Sequence, residues 1–143
     1  MSKLKTFINL TRLNKPIGFM LLFWPCSWGL ALGNNIIEDN NRLIIYLILF
    51  FLGSVLMRSA GCIINDIVDR DIDRKVRRTK ERPLATGLIS VPQALIYAMA
   101  LCLCSFGILI QFNKLTIILG LASMFLAFSY PFMKRITYWP QLF

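Results

Sequence analysis

Five of the seven acidic residues of this chain lie between Asp66 and Glu81. The stretch that opens this segment reads Asn65-Asp66-Ile67-Val68-Asp69-Arg70-Asp71-Ile72-Asp73. Placed on a helix at about 100° per residue, Arg58, Cys62, Asn65, Asp69 and Asp73 share one face. Asp66 sits at the margin of that face and Asp71 points nearly the opposite way. Carboxylates and an amide carbonyl are hard oxygen donors of the kind Mg²⁺ prefers. Mg²⁺ keeps several waters and is commonly shared with substrate phosphates, so Asn65, Asp66, Asp69 and Asp73 read as a platform for Mg²⁺ and a diphosphate. An EF-hand does not fit, because the loop lacks the glycine and the closing glutamate that such a site needs. The plainer alternative is a solvated loop whose acids balance nearby arginines.

The cations around the stripe have two readings each. Arg58 lies in an otherwise apolar stretch, and an ionisable residue there is a functional candidate by default. It can pair with a carboxylate, hold an anionic substrate group, or snorkel to the interface. Arg74 and Arg78 can steer and hold a diphosphate or serve only as topological charge. Tyr130 and Lys134 stand four apart and share a helical face, as a substrate-facing pair or as interfacial anchors. The sequence contains no histidine, which removes imidazole bases and imidazole metal ligands. Cys26, Cys62, Cys102 and Cys104 all fall in apolar runs and read as small packing residues.

These residues have to be positioned by membrane helices. The chain is 57% hydrophobic and only 16% charged, too few charges for a water-soluble domain of this size. Four stretches are nearly free of charge: 17–33, 43–64, 88–112 and 115–133. Each is near the roughly 20 residues that cross a bilayer as a helix, and backbone groups in lipid must pair internally. The fold class expected is therefore all-α, an integral membrane helical bundle with four spans and a cytoplasmic loop over 65–87. Residues 2–14 form a short amphipathic interfacial segment. Pro25 falls inside the first span and Pro92 at the start of the third, where proline is tolerated.

The net charge of +9 would suggest nucleic acid on a soluble domain. Here the cations cluster between apolar runs, so they report topology and no nucleic-acid partner is expected. Lys3, Lys5, Arg12 and Lys15 precede the first span. Arg70, Arg74, Lys75, Arg77, Arg78, Lys80 and Arg82 follow the second, and Lys134 and Arg135 follow the fourth. The two opposite loops hold only Arg42 and Lys114. The positive-inside rule then puts both termini and the 65–87 loop on the cytoplasmic or matrix side.

On these residues the sequence resembles the 4-hydroxybenzoate polyprenyltransferases, within the larger family of membrane aromatic prenyltransferases. The N-D-x-x-D-x-x-x-D motif of that family matches Asn65, Asp66, Asp69 and Asp73. It is framed by Met57-Arg58-Ser59-Ala60-Gly61-Cys62 before it and by Arg78-Thr79 and Arg82-Pro83-Leu84 after it. The Y-x-x-x-K motif falls on Tyr130 and Lys134. Arg12-Leu13-Asn14-Lys15-Pro16-Ile17-Gly18, Leu22-Phe23-Trp24-Pro25 and Thr137-Tyr138-Trp139-Pro140-Gln141 also look like this branch.

The resemblance implies Mg²⁺-dependent transfer of a polyprenyl group from its diphosphate to 4-hydroxybenzoate, in ubiquinone synthesis. It implies Asp69, Asp73 and Lys134 as catalytic residues and Asn65, Asp66, Asp69 and Asp73 as metal ligands. Arg58, Arg74, Arg78, Tyr130 and Lys134 would bind substrate. The setting implied is a bacterial inner or a mitochondrial inner membrane. Aromatic residues such as Phe19, Phe23 and Trp24 are candidates to line a corridor for the prenyl tail, or else pack. Family members continue for about as long again and carry a second D-x-x-x-D motif. Residues 1–143 thus read as the N-terminal half of the domain, with little activity alone and a separate C-terminal chain as a possible partner. The competing reading is a non-catalytic membrane module that holds isoprenoid diphosphates or lipids.

Overall fold

The computed structural model describes residues 3–37 and 40–136, with side chains except those of 34–37, 128 and 130–136. Six helices follow in chain order: α1 Lys3–Thr11, α2 Ile17–Ile37, α3 Asn40–Val68, α4 Arg70–Asp73, α5 Val91–Leu109 and α6 Lys114–Ile136. The protein is an all-α membrane bundle. The 29-residue α3 and the 19-residue α5 are each long and apolar enough to cross a bilayer, and 17% of either apolar window is buried. Most of their side chains are thus left for lipid. In α2 and α6 the apolar part runs over Ile17–Gly33 and Lys114–Ala127.

α3 is the hub, with α2 and α5 as its main partners and α1, α4 and α6 as lesser ones. Its 29 residues give about 44 Å at 1.5 Å each, against about 30 Å of hydrocarbon. The excess is enough for its polar ends, Asn40–Arg42 and Asn65–Asp66, to extend past the apolar layer. Aromatic pairs fasten the neighbours. Phe19 and Phe23 of α2 both meet the Phe51 ring edge-on, with centroids 5.9 and 5.4 Å apart. Phe112, at the α5–α6 turn, lies against Tyr46 and Phe50 of α3. Phe19 and Phe23 thus take part in α2–α3 packing.

The densest packing lies at the motif end. Leu10, Ile63, Leu84, Ala94 and Ala98 form one buried cluster drawn from α1, α3, the 74–90 connection and α5. Lipid gives helices no hydrophobic reason to associate; water does, so a core forms where the bundle meets the aqueous phase. The N-terminal segment belongs to this core. In α1, Thr6, Leu10 and Thr11 are buried, and Phe7 meets Tyr97 of α5 edge-on.

Helix ends explain how the chain turns back. α1 stops at Arg12, whose φ of 57° is left-handed, while the Leu13 N–H bonds the Ile8 carbonyl at 3.2 Å. This is the Schellman arrangement, with an arginine where glycine is usual and at a cost of about 1–2 kcal/mol. α5 begins with a reciprocal capping box between Ser90 and Gln93, with Pro92 in its first turn. The third apolar stretch thus becomes helical at Val91 and not at Leu88. The Asn113 side chain accepts from the Thr116 N–H at 2.8 Å and caps α6.

Candidate functional site: an acidic ladder at the end of a membrane helix

The helical path of α3 continues through the motif. The Asp69 N–H bonds the Asn65 carbonyl at 2.9 Å and the Asp73 N–H bonds the Asp69 carbonyl at 2.8 Å. Asp69 lies at the junction with α4, with φ −87° and ψ 3°. Spacing of four therefore stacks Asn65, Asp69 and Asp73 one turn above another. Asp69 and Asp73 are buried and Asn65 is half-buried. Asp71 turns the other way, with its side chain 89% exposed and 3.9 Å from Arg74.

Asp66 has a different setting. It is 1% exposed, and its Oδ1 accepts from Arg12 Nη2 and from Arg82 Nη1 at 3.1 Å. The same Arg82 nitrogen reaches Asp73 Oδ2 at 2.6 Å. Burial pushes the Asp66 carboxyl above its ordinary range; Arg12 and Arg82 oppose the rise without cancelling it, and the nearby Asp73 and Asp69 add to it. Neither arginine stands out from sequence spacing, since they lie 54 and 16 residues from Asp66. The signal available was their place in the two matching stretches, Arg12-Leu13-Asn14-Lys15-Pro16-Ile17-Gly18 and Arg82-Pro83-Leu84. Arg70, which opens α4, keeps a buried Nε without a hydrogen-bond partner.

The connection after α4 is wound into successive turns. Thr79 is buried and donates its hydroxyl to the Asp73 carbonyl at 3.1 Å. Arg74 donates Nε to the Ala85 carbonyl at 3.1 Å, so its guanidinium pins the loop. Arg78 is exposed. Gly87, with φ 77°, supplies a left-handed turn before α5.

Arg58 stands seven residues before Asn65, about 10 Å deeper along the same helix. Its guanidinium crosses the start of α2 at Gly18. A Cβ on Gly18 would sit 2.7 Å from Arg58 Nε. Beyond Arg58, α2, α3, α5 and α6 line a half-open cavity of about 430 Å³. Leu22, Phe50, Ser54, Met57, Ser105 and Phe106 are among its walls. Cys26 and Cys102 line it too, Cys62 is buried under the motif, and all four cysteines are free thiols.

Tyr130 and Lys134 lie on α6, and their side chains fall outside the described residues, as does Thr137–Gln141 altogether. Among the described residues no three Cys, Asp or Glu groups converge as a ready metal cage. The donor set present suits a different kind of ion. Asn65, Asp69 and Asp73 offer oxygens along one face, which fits Mg²⁺ that keeps waters and shares ligands with a substrate phosphate.

Comparison with known proteins identifies the family of the chain. The family model described as the UbiA prenyltransferase family matches residues 22–143. The chain belongs to the UbiA prenyltransferase family. Among its curated relatives, the 4-hydroxybenzoate octaprenyltransferase of Aliivibrio salmonicida is 51% identical over 141 residues, covering 99% of this chain and 48% of the relative. The enzyme of the same name from Vibrio atlanticus is 47% identical over 142 residues, covering 99% of this chain and 49% of the relative. That from Nitrosomonas eutropha is 48% identical over 141 residues, with 99% and 48% covered. The chain thus spans about half the length of the curated relatives it matches. No solved structure matches it.

Proposed function

We propose that this UbiA-family chain binds a polyprenyl diphosphate through Mg²⁺ on Asn65, Asp69 and Asp73 and takes part in transferring the prenyl group to 4-hydroxybenzoate. The observation that carries this reading is the continuous acidic ladder of α3–α4; an apolar cavity lies deeper in the same helical bundle, against a different face of α3. A polyprenyl diphosphate has that same division, with a trianionic head and a long apolar tail. The names of the half-matched relatives support the choice of reaction.

In this reading the ladder fixes the head and the cavity takes the proximal isoprene units. When bound, Mg²⁺ supplies Lewis-acid stabilisation of the leaving diphosphate. Arg58, Arg74, Arg78, Tyr130 and Lys134 surround the substrates with donors and positive charge, and donors placed where charge develops are the strongest rate-enhancing feature of such sites. Lys134 acts on the departing diphosphate. Asp66 completes the acidic set. The allylic C–O bond breaks and the ring carbon ortho to the hydroxyl of 4-hydroxybenzoate attacks the allylic carbon. The ring proton then leaves and restores aromaticity. Lipid-facing helices exclude water from the cation. The ladder, the 65–87 connection and both termini face the cytoplasm or matrix.

The test is prenylated 4-hydroxybenzoate formed in membranes of a host whose own polyprenyltransferase is deleted. The chain is assayed alone and with the C-terminal half of a relative co-expressed. We expect little product from the chain alone and clear product with the second half, lost in Asp69→Ala. No product in either arm, or product insensitive to Asp69→Ala, overturns the reading.

A further inference from the structure

We propose that Arg12 is a positioning residue of the diphosphate site, acting through Asp66 and Arg82 on the Asp73 carboxylate. The inference rests on the proposed Mg²⁺–diphosphate function of that ladder and adds to it a residue from outside the motif.

Three observations lead there. First, Arg12 is held in left-handed backbone, φ 57°, at a helix end where glycine would be unstrained. A non-glycine residue kept in that region points to work done by its side chain. Second, that side chain ends on Asp66, which is 1% exposed. A carboxylate so deeply buried must have charged partners, and here the partners are Arg12 and Arg82 on one oxygen. Third, Arg82 Nη1 bonds Asp66 and Asp73 at once, at 3.1 and 2.6 Å. A chain of charge-assisted contacts therefore runs from α1 through Asp66 and Arg82 to the last rung of the ladder.

The scaffold suits such a relay. Leu10 is wholly buried in the cluster that contains Ile63 and Leu84. One side of this cluster is the α3 segment that carries Asp66; the other is the connection that carries Arg82. α1 is thus docked firmly enough to fix Arg12. Without Arg12, Asp66 has Arg82 as its remaining guanidinium, and Arg82 is drawn toward the buried charge and away from Asp73. The Asp73 carboxylate then loses the partner that orients it, and the site binds Mg²⁺–diphosphate in a looser geometry. Arg12 touches neither metal nor substrate in this account.

The experiment uses the full chain in nanodiscs and a non-cleavable farnesyl thiodiphosphate as probe. The readout is the Mg²⁺ concentration at half-saturation of probe binding, with thermal unfolding recorded on the same samples. Arg12→Gly relieves the left-handed strain but takes one of two guanidinium partners from buried Asp66, so its unfolding midpoint is expected to fall modestly while the chain stays folded at the assay temperature. Its half-saturating Mg²⁺ is expected to rise at least tenfold, about 1.4 kcal/mol. Arg12→Lys keeps the charge without the fork and should fall between. In an Asp66→Asn background, Arg12→Gly should change half-saturation less than twofold, because the route to Asp73 is already cut. Unchanged Mg²⁺ dependence in Arg12→Gly overturns the proposal, as do penalties of Arg12→Gly and Asp66→Asn that simply multiply. If Arg12→Gly fails to fold, Arg12→Gln carries the same comparison. A parent chain that binds the probe without Mg²⁺ overturns the reading of the ladder itself, and this inference with it.

Discussion

Replacing Gly18 by alanine should weaken substrate binding while leaving the fold intact. The added Cβ would lie 2.7 Å from Arg58 Nε and 3.4 Å from both Cζ and Nη2. Ordinary contact begins near 3.4 Å, so the head group must retreat by about 0.7 Å. The arginine is long, and α2 would not have to move. Turning one side-chain torsion off its minimum costs about 0.5–1.5 kcal/mol. Alanine in place of a helical glycine returns about 0.5–1 kcal/mol. The two nearly cancel, and the unfolding free energy should stay within about 1 kcal/mol of the parent. Function is more sensitive, because a misplacement of about 1 Å can cost about 100-fold. For Arg58 acting on an anionic substrate group, we expect binding to weaken about 10- to 100-fold. Calorimetric titration of the chain in nanodiscs, with farnesyl thiodiphosphate and separately with 4-hydroxybenzoate, reads this directly. Gly18→Ala should have no further effect in an Arg58→Ala background. Affinity within twofold of the parent for both ligands, or an equal loss when Arg58 is already absent, would refute the reasoning.

Three further outcomes are expected. Asp71→Ala should leave Mg²⁺-dependent probe binding within about twofold of the parent, because that side chain is 89% exposed and off the ladder; a loss of tenfold or more in titration would contradict its placement. Arg82→Ala strips a guanidinium from two buried carboxylates and should destabilise the bundle by about 3 kcal/mol, the lower end for a broken buried pair since Arg82 is itself 26% exposed; denaturant unfolding in detergent checks it, and a change under 1 kcal/mol would mean that water screens the pair. A single cysteine at exposed Lys80, in a chain without its four native cysteines, should resist an impermeant thiol reagent in intact cells and react in inverted vesicles, whereas labelling of intact cells would reverse the orientation.

Much of this architecture was legible in the sequence because lipid imposes a simple rule. A chain that crosses a bilayer must pair its backbone internally and show apolar side chains, so uncharged runs mark helices. The ladder was legible for a related reason. Once α3 is known to extend past Ile64, spacing of four places Asn65, Asp69 and Asp73 together and sends Asp71 outward. The partners of Asp66 were not legible. Arg12 reaches it only because Leu10 seats α1 against α3, and a left-handed arginine cannot be foreseen from propensity. Arg12 looked like topological charge, which is also how its neighbours Lys3 and Lys5 read. The 74–90 connection misled in the same way. Its basic and polar composition suggests a solvated loop, yet Thr79 and Leu84 are buried and Arg74 is tied to the Ala85 carbonyl. For Phe19 and Phe23 the sequence left a tail corridor and packing both open, and the packing partner, Phe51 at the right height on α3, emerges only from the docked helices. Composition records which side chains enter lipid and which enter water, while these contacts are set by how the helices dock.

Mg²⁺-dependent binding of a polyprenyl diphosphate to the α3–α4 ladder is the most direct test of the whole account. The measurement is calorimetric titration of the nanodisc-embedded chain with farnesyl thiodiphosphate, with Mg²⁺ and with chelator, for the parent and for Asp69→Ala. Saturable binding that appears only with Mg²⁺ and falls at least tenfold in Asp69→Ala is the predicted result. Binding of equal strength in chelator, or binding that Asp69→Ala leaves untouched, would contradict it.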